Sequence, residues 1–328
     1  MSGELEIELR ACADERRRAL DVRGAQVVSL FDPLYPSILR EIPDPPLVLF
    51  YRGELCHLLN RQVAIVGSRR CSALARTLSC DIAEVLVQSD ICVVSGLAVG
   101  VDSAAHRGAL AAQGKTQVKT GQQPPGSARS AKSAPTLAVL GSGIESIYPA
   151  VNRKLAERIV QTGGVLLTEY ADGHSAAAHH FPERNRIISG LSEAVVVIEA
   201  GDRSGSLITA RMALEQGRDV LAVPGAVDNP RYVGSHRLIK DGAGLVCSAG
   251  DVLANLNLPP LEADNAVELT REQQALFSLL DQPVSVDELE LLLGWPVARI
   301  LGTVAALQSC DLVKVDGSGY VVARGSQA

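Results

Sequence analysis

The chain reads as an α/β protein built on a doubly wound parallel sheet, with a small all-helical and hairpin module behind it. Three observations predict this. Short runs that are apolar on both faces recur at 63–67, 91–95, 137–141, 165–168, 194–199 and 219–224, the pattern of strands buried on both sides. Helical patterns separate them near 72–88, 103–112, 151–162, 184–191 and 206–217, and strand–helix alternation at this spacing implies parallel pairing. Four of the six runs end in or run directly into a Gly or Ser turn, at Gly67, Ser95, Gly141 and Gly225. In a doubly wound sheet the ligand lies outside the carboxyl ends of the strands, so these small-residue turns converge on one edge.

The 328 residues suffice for one large core and a smaller one. Aromatics are only 3% of the chain, so Val, Leu, Ile and Ala must fill the core. No apolar run reaches the ~18 residues of a membrane span. The acidic start, Met1-Ser-Gly-Glu-Leu-Glu6, lacks the order of a signal peptide. Seven scattered cysteines without a CxxC pair suggest reduced thiols, a cytoplasmic location and no zinc site. Net charge is −6, but residues 262–328 hold 10 acids and 4 Lys/Arg, so residues 1–261 are neutral and free to carry a basic face.

In chain order, residues 1–24 suggest a charged helix or tail. Dense prolines in Asp32-Pro-Leu-Tyr-Pro36 and Ile42-Pro-Asp-Pro-Pro46 make residues 25–58 an extended lead-in. Residues 59–255 form the Rossmann-like domain. Residues 113–135, rich in Lys, Gln, Gly, Ser and Pro, interrupt a helix-to-strand connection and read as a flexible insertion. A linker at 256–269 leads to residues 270–328. There, helical patterns at 270–280, 285–293 and 296–310 precede a hairpin around Asp316-Gly-Ser-Gly319, the order of a winged helix. With Arg299 as the one cation of its third helix, that module suits docking to protein, or no binding role, better than insertion into a DNA groove.

The turns carry the chemistry. Val63-Ala-Ile-Val-Gly-Ser-Arg69 places Gly67, Ser68 and Arg69 after a strand, where N–H groups and a guanidinium suit phosphate. No G-x-G-x-x-G follows it, which counts against NAD. Ser95 and Gly96 end the next strand, ahead of Asp102 and His106 at helical spacing. These two fit acid–base work or, preferably, a cap and a pocket-wall hydrogen bond. Gly141 opens a glycine turn leading to Arg153 and Lys154, which suit a backbone contact or plain solvation equally. Phe181-Pro-Glu-Arg184-Asn185-Arg186 and Ser204-Gly205-Ser206 complete an anionic-ligand pattern. Glu169 and Glu199 fit magnesium or catalysis, and better an ion pair with Arg184 or Arg186. His174, His179 and His180 lack metal-ligand spacing and read as loop residues of an anionic groove. Phe181, Tyr148 and Tyr170 are the aromatic candidates near the site, with Phe181 assigned to the core.

Taken in order, Gly67-Ser-Arg69, Ser95-Gly-Leu-Ala with Gly100, Asp102 and His106, Tyr148-Pro149, the Phe181–Arg186 run, Glu199-Ala200, Ser204-Gly-Ser206 and Val223-Pro-Gly225 resemble the DNA-processing DprA (Smf) family over about residues 31–255. That resemblance implies a homodimer that binds single-stranded DNA without sequence preference, protects it and loads RecA in natural transformation. It implies no enzyme activity and no cofactor. The chain departs from the pattern before Phe181, where a lysine is frequent in relatives and Ala176-Ala-Ala-His-His180 stands here. If His179 takes over that contact, binding strengthens as pH falls. The competing class is a nucleotide-hydrolysing enzyme of a related Rossmann family. Its Pro-Gly-Gly-x-Gly-Thr run is replaced here by Arg203-Ser-Gly-Ser-Leu-Ile-Thr209.

Overall fold

A computed structural model describes residues 25–55, 61–119, 135–259, 269–280, 282–309, 312–315 and 320–323. The N-terminal segment expected at 1–24 lies outside them. The chain divides into two compact units, Met1–Leu261 and Glu262–Ala328.

The first unit is built on nine strands: β1 (Gln26–Ser29), β2 (Val48–Arg52), β3 (Gln62–Val66), β4 (Cys92–Ser95), β5 (Thr136–Val139), β6 (Val165–Thr168), β7 (Ala194–Val197), β8 (Asp219–Ala222) and β9 (Gly244–Leu245). Their order is β1-β2-β6-β5-β4-β3-β7-β8-β9. From β6 to β9 every pairing is parallel. The helices are α1 (Ser37–Arg40), α2 (Ala73–Gln88), α3 (Val101–Lys119), α4 (Arg153–Gln161), α5 (His180–Gly190), α6 (Ser206–Glu215), α7 (Val233–Lys240) and α8 (Ala249–Asn255).

Alternation along β3 explains why the strands are mostly apolar. Ala64 and Val66 pack with Ile187 and Ile188 of α5 and Ala210 of α6, whereas Val63 and Ile65 pack with Ile82 of α2 and Ala105 of α3. Each face is roofed by helices, so the strands are mostly apolar on both sides, and the polar residues they do carry, such as Ser95 and Thr136, are hydrogen-bonded internally.

Three expectations need correction. The proline-rich lead-in is more than an extended approach. Its β1 and β2 pair antiparallel, and β2 adds antiparallel to β6 at the sheet edge. Tyr35 is buried there and donates its hydroxyl hydrogen to Pro46 O at 2.9 Å. The insertion at 113–135 is helical in its first part, because α3 runs on to Lys119; residues 120–134 lie outside the described residues. Finally, α5 starts at His180, ahead of the expected 184, because Pro182 falls in its first turn, where no N–H is needed.

The second unit packs α9 (Arg271–Phe277), α10 (Val286–Leu293) and α11 (Val297–Ser309) around Leu276, Leu289, Ile300, Val304 and Leu307, beside an antiparallel pair, β10 (Val313–Val315) and β11 (Val321–Ala323). Three helices followed by a two-stranded sheet is the expected order. Arg299 of α11 pairs with Glu272 and stacks over Trp295, its guanidinium carbon 4.8 Å from the ring centre. No single helix among the described residues is long and apolar enough to cross a membrane.

Candidate nucleic-acid interface

β3 is flanked by β4 on one side and β7 on the other. The winding direction reverses between β3 and β7, and a crevice opens above the carboxyl ends of such neighbours. A cleft of about 850 Å³ lies there. One wall is the turn after β3, Gly67 to Arg70. The opposite wall is the 201–206 turn and the start of α6. Tyr148, Ala176, Ala178 and Phe181 form the mouth.

The turn after β3 is clamped. Ser68 N–H donates to Glu199 O at 2.8 Å, and Val101 N–H donates to Ser68 O at 3.3 Å. Ser72 caps α2 by accepting from Ala75 N–H, and its own N–H donates to Glu199 Oε2 at 3.1 Å. Gly100 has φ +87, and a Cβ there would stand 2.3 Å from Ser68 O. Only glycine lets the loop after β4 lie this close. Glu199 thus serves the turn and is paired with neither arginine.

Three guanidiniums at the cleft, Arg69, Arg70 and Arg203, are exposed, and no carboxylate pairs with them among the described residues. Arg69 lies over the Phe181 ring at 5.3 Å, and Phe181 leans on Tyr148 with ring centres 5.4 Å apart. Phe181 is therefore half-buried cleft wall, not core. Tyr170 stacks on His180 at 4.0 Å and does not line the cleft. The rim acid Asp202 is neutralised by Arg237. The mouth therefore presents cations beside two rings.

The floor holds a buried charge pair. Arg184 is 4% exposed and donates from Nη1 to Gly96 O, at 2.9 Å, and to Val139 O. Burial pushes its pKa down to about 10, against the pull of Asp102, so it stays a cation near neutral pH. Burial likewise raises Asp102, opposed by Arg184 and by the N–H groups of Ala98 and Gly96, which donate to its Oδ2. His106 has separate partners. Its Nδ1 lies 2.7 Å from Thr136 Oγ1, whose hydrogen goes to Val93 O, so Nδ1 must be the donor. Burial drives its pKa down to about 3. A neutral, enclosed imidazole tied to a threonine has no route to a substrate proton.

Of the anticipated ligands, Gly67, Ser68, Arg69, Arg184, Asn185, Ser204, Gly205 and Ser206 line the cleft. Ser95, Gly96, Gly141, Arg153, Lys154, His179 and Arg186 do not. Ser95 Oγ donates to Ile65 O inside the sheet, Gly96 lies under Arg184, and Gly141 lies under Phe181. His179 is exposed, edge-on to His180 at 4.4 Å, which gives no geometric support to a phosphate contact. Arg186 is spent elsewhere: it grips Glu169 through two 2.7 Å bonds and Asp44 at 3.0 Å, pinning α5 to the lead-in. That realises the expected glutamate–arginine pairing. Arg70 and Arg203 line the cleft as well, outside the anticipated set; each adjoins one of its members, and an arginine flanking a phosphate-type turn is the sequence signal that points to them. Among the described residues no cluster of His, Cys, Asp and Glu could hold a metal.

Comparison with known proteins agrees with this architecture. The family model for DNA recombination-mediator protein A matches residues 26–124 and 126–257. The DNA processing protein DprA of Streptococcus pneumoniae is 42% identical over 226 residues, 69% of this chain and 72% of the relative. Protein Smf of Escherichia coli is 36% identical over 298 residues, 88% of this chain and 74% of the relative. The solved structure of the S. pneumoniae protein superposes with TM-score 0.61 at 41% identity, covering 70% of this chain and 73% of that one. A Helicobacter pylori DNA processing protein A, whose structure is described as showing a unique single-stranded DNA binding mode, superposes with TM-score 0.58 at 25% identity, covering 71% of this chain and 96% of that one. With the sheet, the switch-point cleft and the sequence in accord, the chain belongs to the DNA recombination-mediator protein A family, whose members include DprA and Smf.

Proposed function

We propose that the chain is a recombination mediator that binds single-stranded DNA in the switch-point cleft, protects it, and delivers it to a RecA recombinase during natural transformation. The observation that carries this reading is the meeting of three unpaired guanidiniums, Arg69, Arg70 and Arg203, with Tyr148 and Phe181 at one opening. Cations that follow a backbone beside rings that stack on any base are what sequence-independent single-strand binding requires. The single-strand binding described for the H. pylori relative supports the same choice.

The protein acts in this reading as a cytoplasmic homodimer without cofactor or catalysis. The candidate acid–base residues His106 and Asp102 are committed to Thr136 and to the 96–98 turn respectively. The test is fluorescence anisotropy of labelled oligo-thymidylate, single- against double-stranded. Preferential single-strand binding that weakens with salt and is lost in Arg69→Ala supports the proposal. Equal affinity for both forms, or indifference to Arg69→Ala, rejects it. The delivery step is read separately, as faster assembly of RecA filaments on single strands, and light scattering fixes the oligomeric state.

A further inference from the structure

The cleft has a continuation on one side. Tyr148, 51% exposed, is both a cleft residue and the start of a segment that runs through a single 3-10 turn into α4. Val151, 74% exposed, follows it, and then come Lys154 and Arg158, both exposed. Spacings of three and four place Val151, Lys154 and Arg158 in one line along the helix. From Val151 to Arg158 the line is about 10 Å long at roughly 1.5 Å per residue. Leu155, Ala156 and Ile159 occupy the buried side of the same helix, so the line faces outward.

The anchoring is specific. Asn152 is buried, and its Nδ2 donates to Leu97 O at 2.8 Å, next to Ala98 of the cleft wall. The start of α4 is therefore fixed at the cleft edge. Neither Lys154 nor Arg158 has a side-chain partner among the described residues. Arg153 and Glu157, one turn apart, occupy the neighbouring strip and balance each other in charge.

We infer that this face of α4 is a second segment of the single-strand path: DNA leaving the cleft passes over Tyr148 and Val151 and lays its phosphates on Lys154 and Arg158. An apolar step beside a ring, followed by two unpaired cations on a line, matches a strand with bases on one side and phosphates on the other. The inference rests on the cleft reading above.

The test uses the full chain and two oligo-thymidylates, one of about five nucleotides that fills the cleft alone and one of about twenty. Wild type is compared with Lys154→Glu/Arg158→Glu, the milder Lys154→Gln/Arg158→Gln, and Arg69→Ala. Thermal melts check that each variant is folded. The charge reversal weakens the long strand at least about tenfold and lowers its salt slope by roughly 1.4, two contacts at about 0.7 each, while the short strand binds as before. The glutamine pair moves the same way by less. Equal loss on both lengths, or loss on neither, overturns the α4 path. Arg69→Ala separates the two ideas. If it weakens both lengths while the reversal weakens neither, only the α4 path falls. If Arg69→Ala leaves both untouched, the cleft reading fails and this extension with it.

Discussion

Substituting Gly100 tests whether backbone packing sets the position of Arg69. The added Cβ of Gly100→Ala would stand 2.3 Å from Ser68 O and 2.8 Å from Arg69 C and O, where ordinary contact starts at 3.4 Å. The turn after β3 must yield by roughly an ångström, because Gly100 is followed at once by α3 and cannot retreat. Its φ of +87 adds strain for any side chain, and such strain costs about 1–3 kcal/mol. Moving the turn loosens the Ser68–Glu199 and Val101–Ser68 bonds and swings Arg69 out of register. A charge-assisted hydrogen bond contributes about 1.5–3 kcal/mol, so single-strand affinity falls roughly 10- to 150-fold. Anisotropy titration with oligo-thymidylate measures it, with a thermal melt alongside. Gly217→Ala is the comparison: φ there is +69, but no atom lies within 4 Å of the new Cβ, and the residue is outside the cleft. It lowers Tm through the left-handed strain and keeps affinity. Wild-type affinity in Gly100→Ala would refute the clamp.

Three other outcomes follow from the geometry. Arg203→Ala reduces the slope of log affinity against log salt by about 0.7, one phosphate contact on a single strand; an unchanged slope would remove Arg203 from the path. Arg186→Ala breaks the ion pair that joins α5, Glu169 and Asp44, costing roughly 3 kcal/mol in urea unfolding, while the folded fraction binds DNA within a few-fold of wild type; a selective affinity loss without destabilisation would return Arg186 to the binding site. His106, held near 3 when folded and near 6.5 when unfolded, leaves the unfolded chain with the extra proton between these values, so stability falls on acidification by up to about 1.4 kcal/mol per pH unit. His106→Asn has a shallower decline of Tm from pH 7 to 5, with the opposite-signed contribution of Asp102 common to both proteins; parallel profiles would show that the imidazole is not the titrating group.

Local pattern sufficed for much of this protein. Strands roofed on both faces must be mostly apolar, so β3 to β8 are readable from composition alone, and Gly or Ser at four of their ends marks the ligand edge. Placement across the sheet was not readable in this way. That β1 and β2 complete the sheet antiparallel depends on pairing with β6, more than a hundred residues away. The arginines of one short motif show the same divide. Arg184 and Arg186 are two residues apart, which on a helix turns their side chains to nearly opposite sides. One becomes the buried cation of the cleft floor and the other a clasp on Glu169 and Asp44. Residue types in sequence determined that this chain would gather phosphate-seeking groups at one edge of a parallel sheet. Which of those groups face the cleft and which are spent on holding it were decided by packing, because helix rotation and long-range strand pairing fix the direction of each side chain.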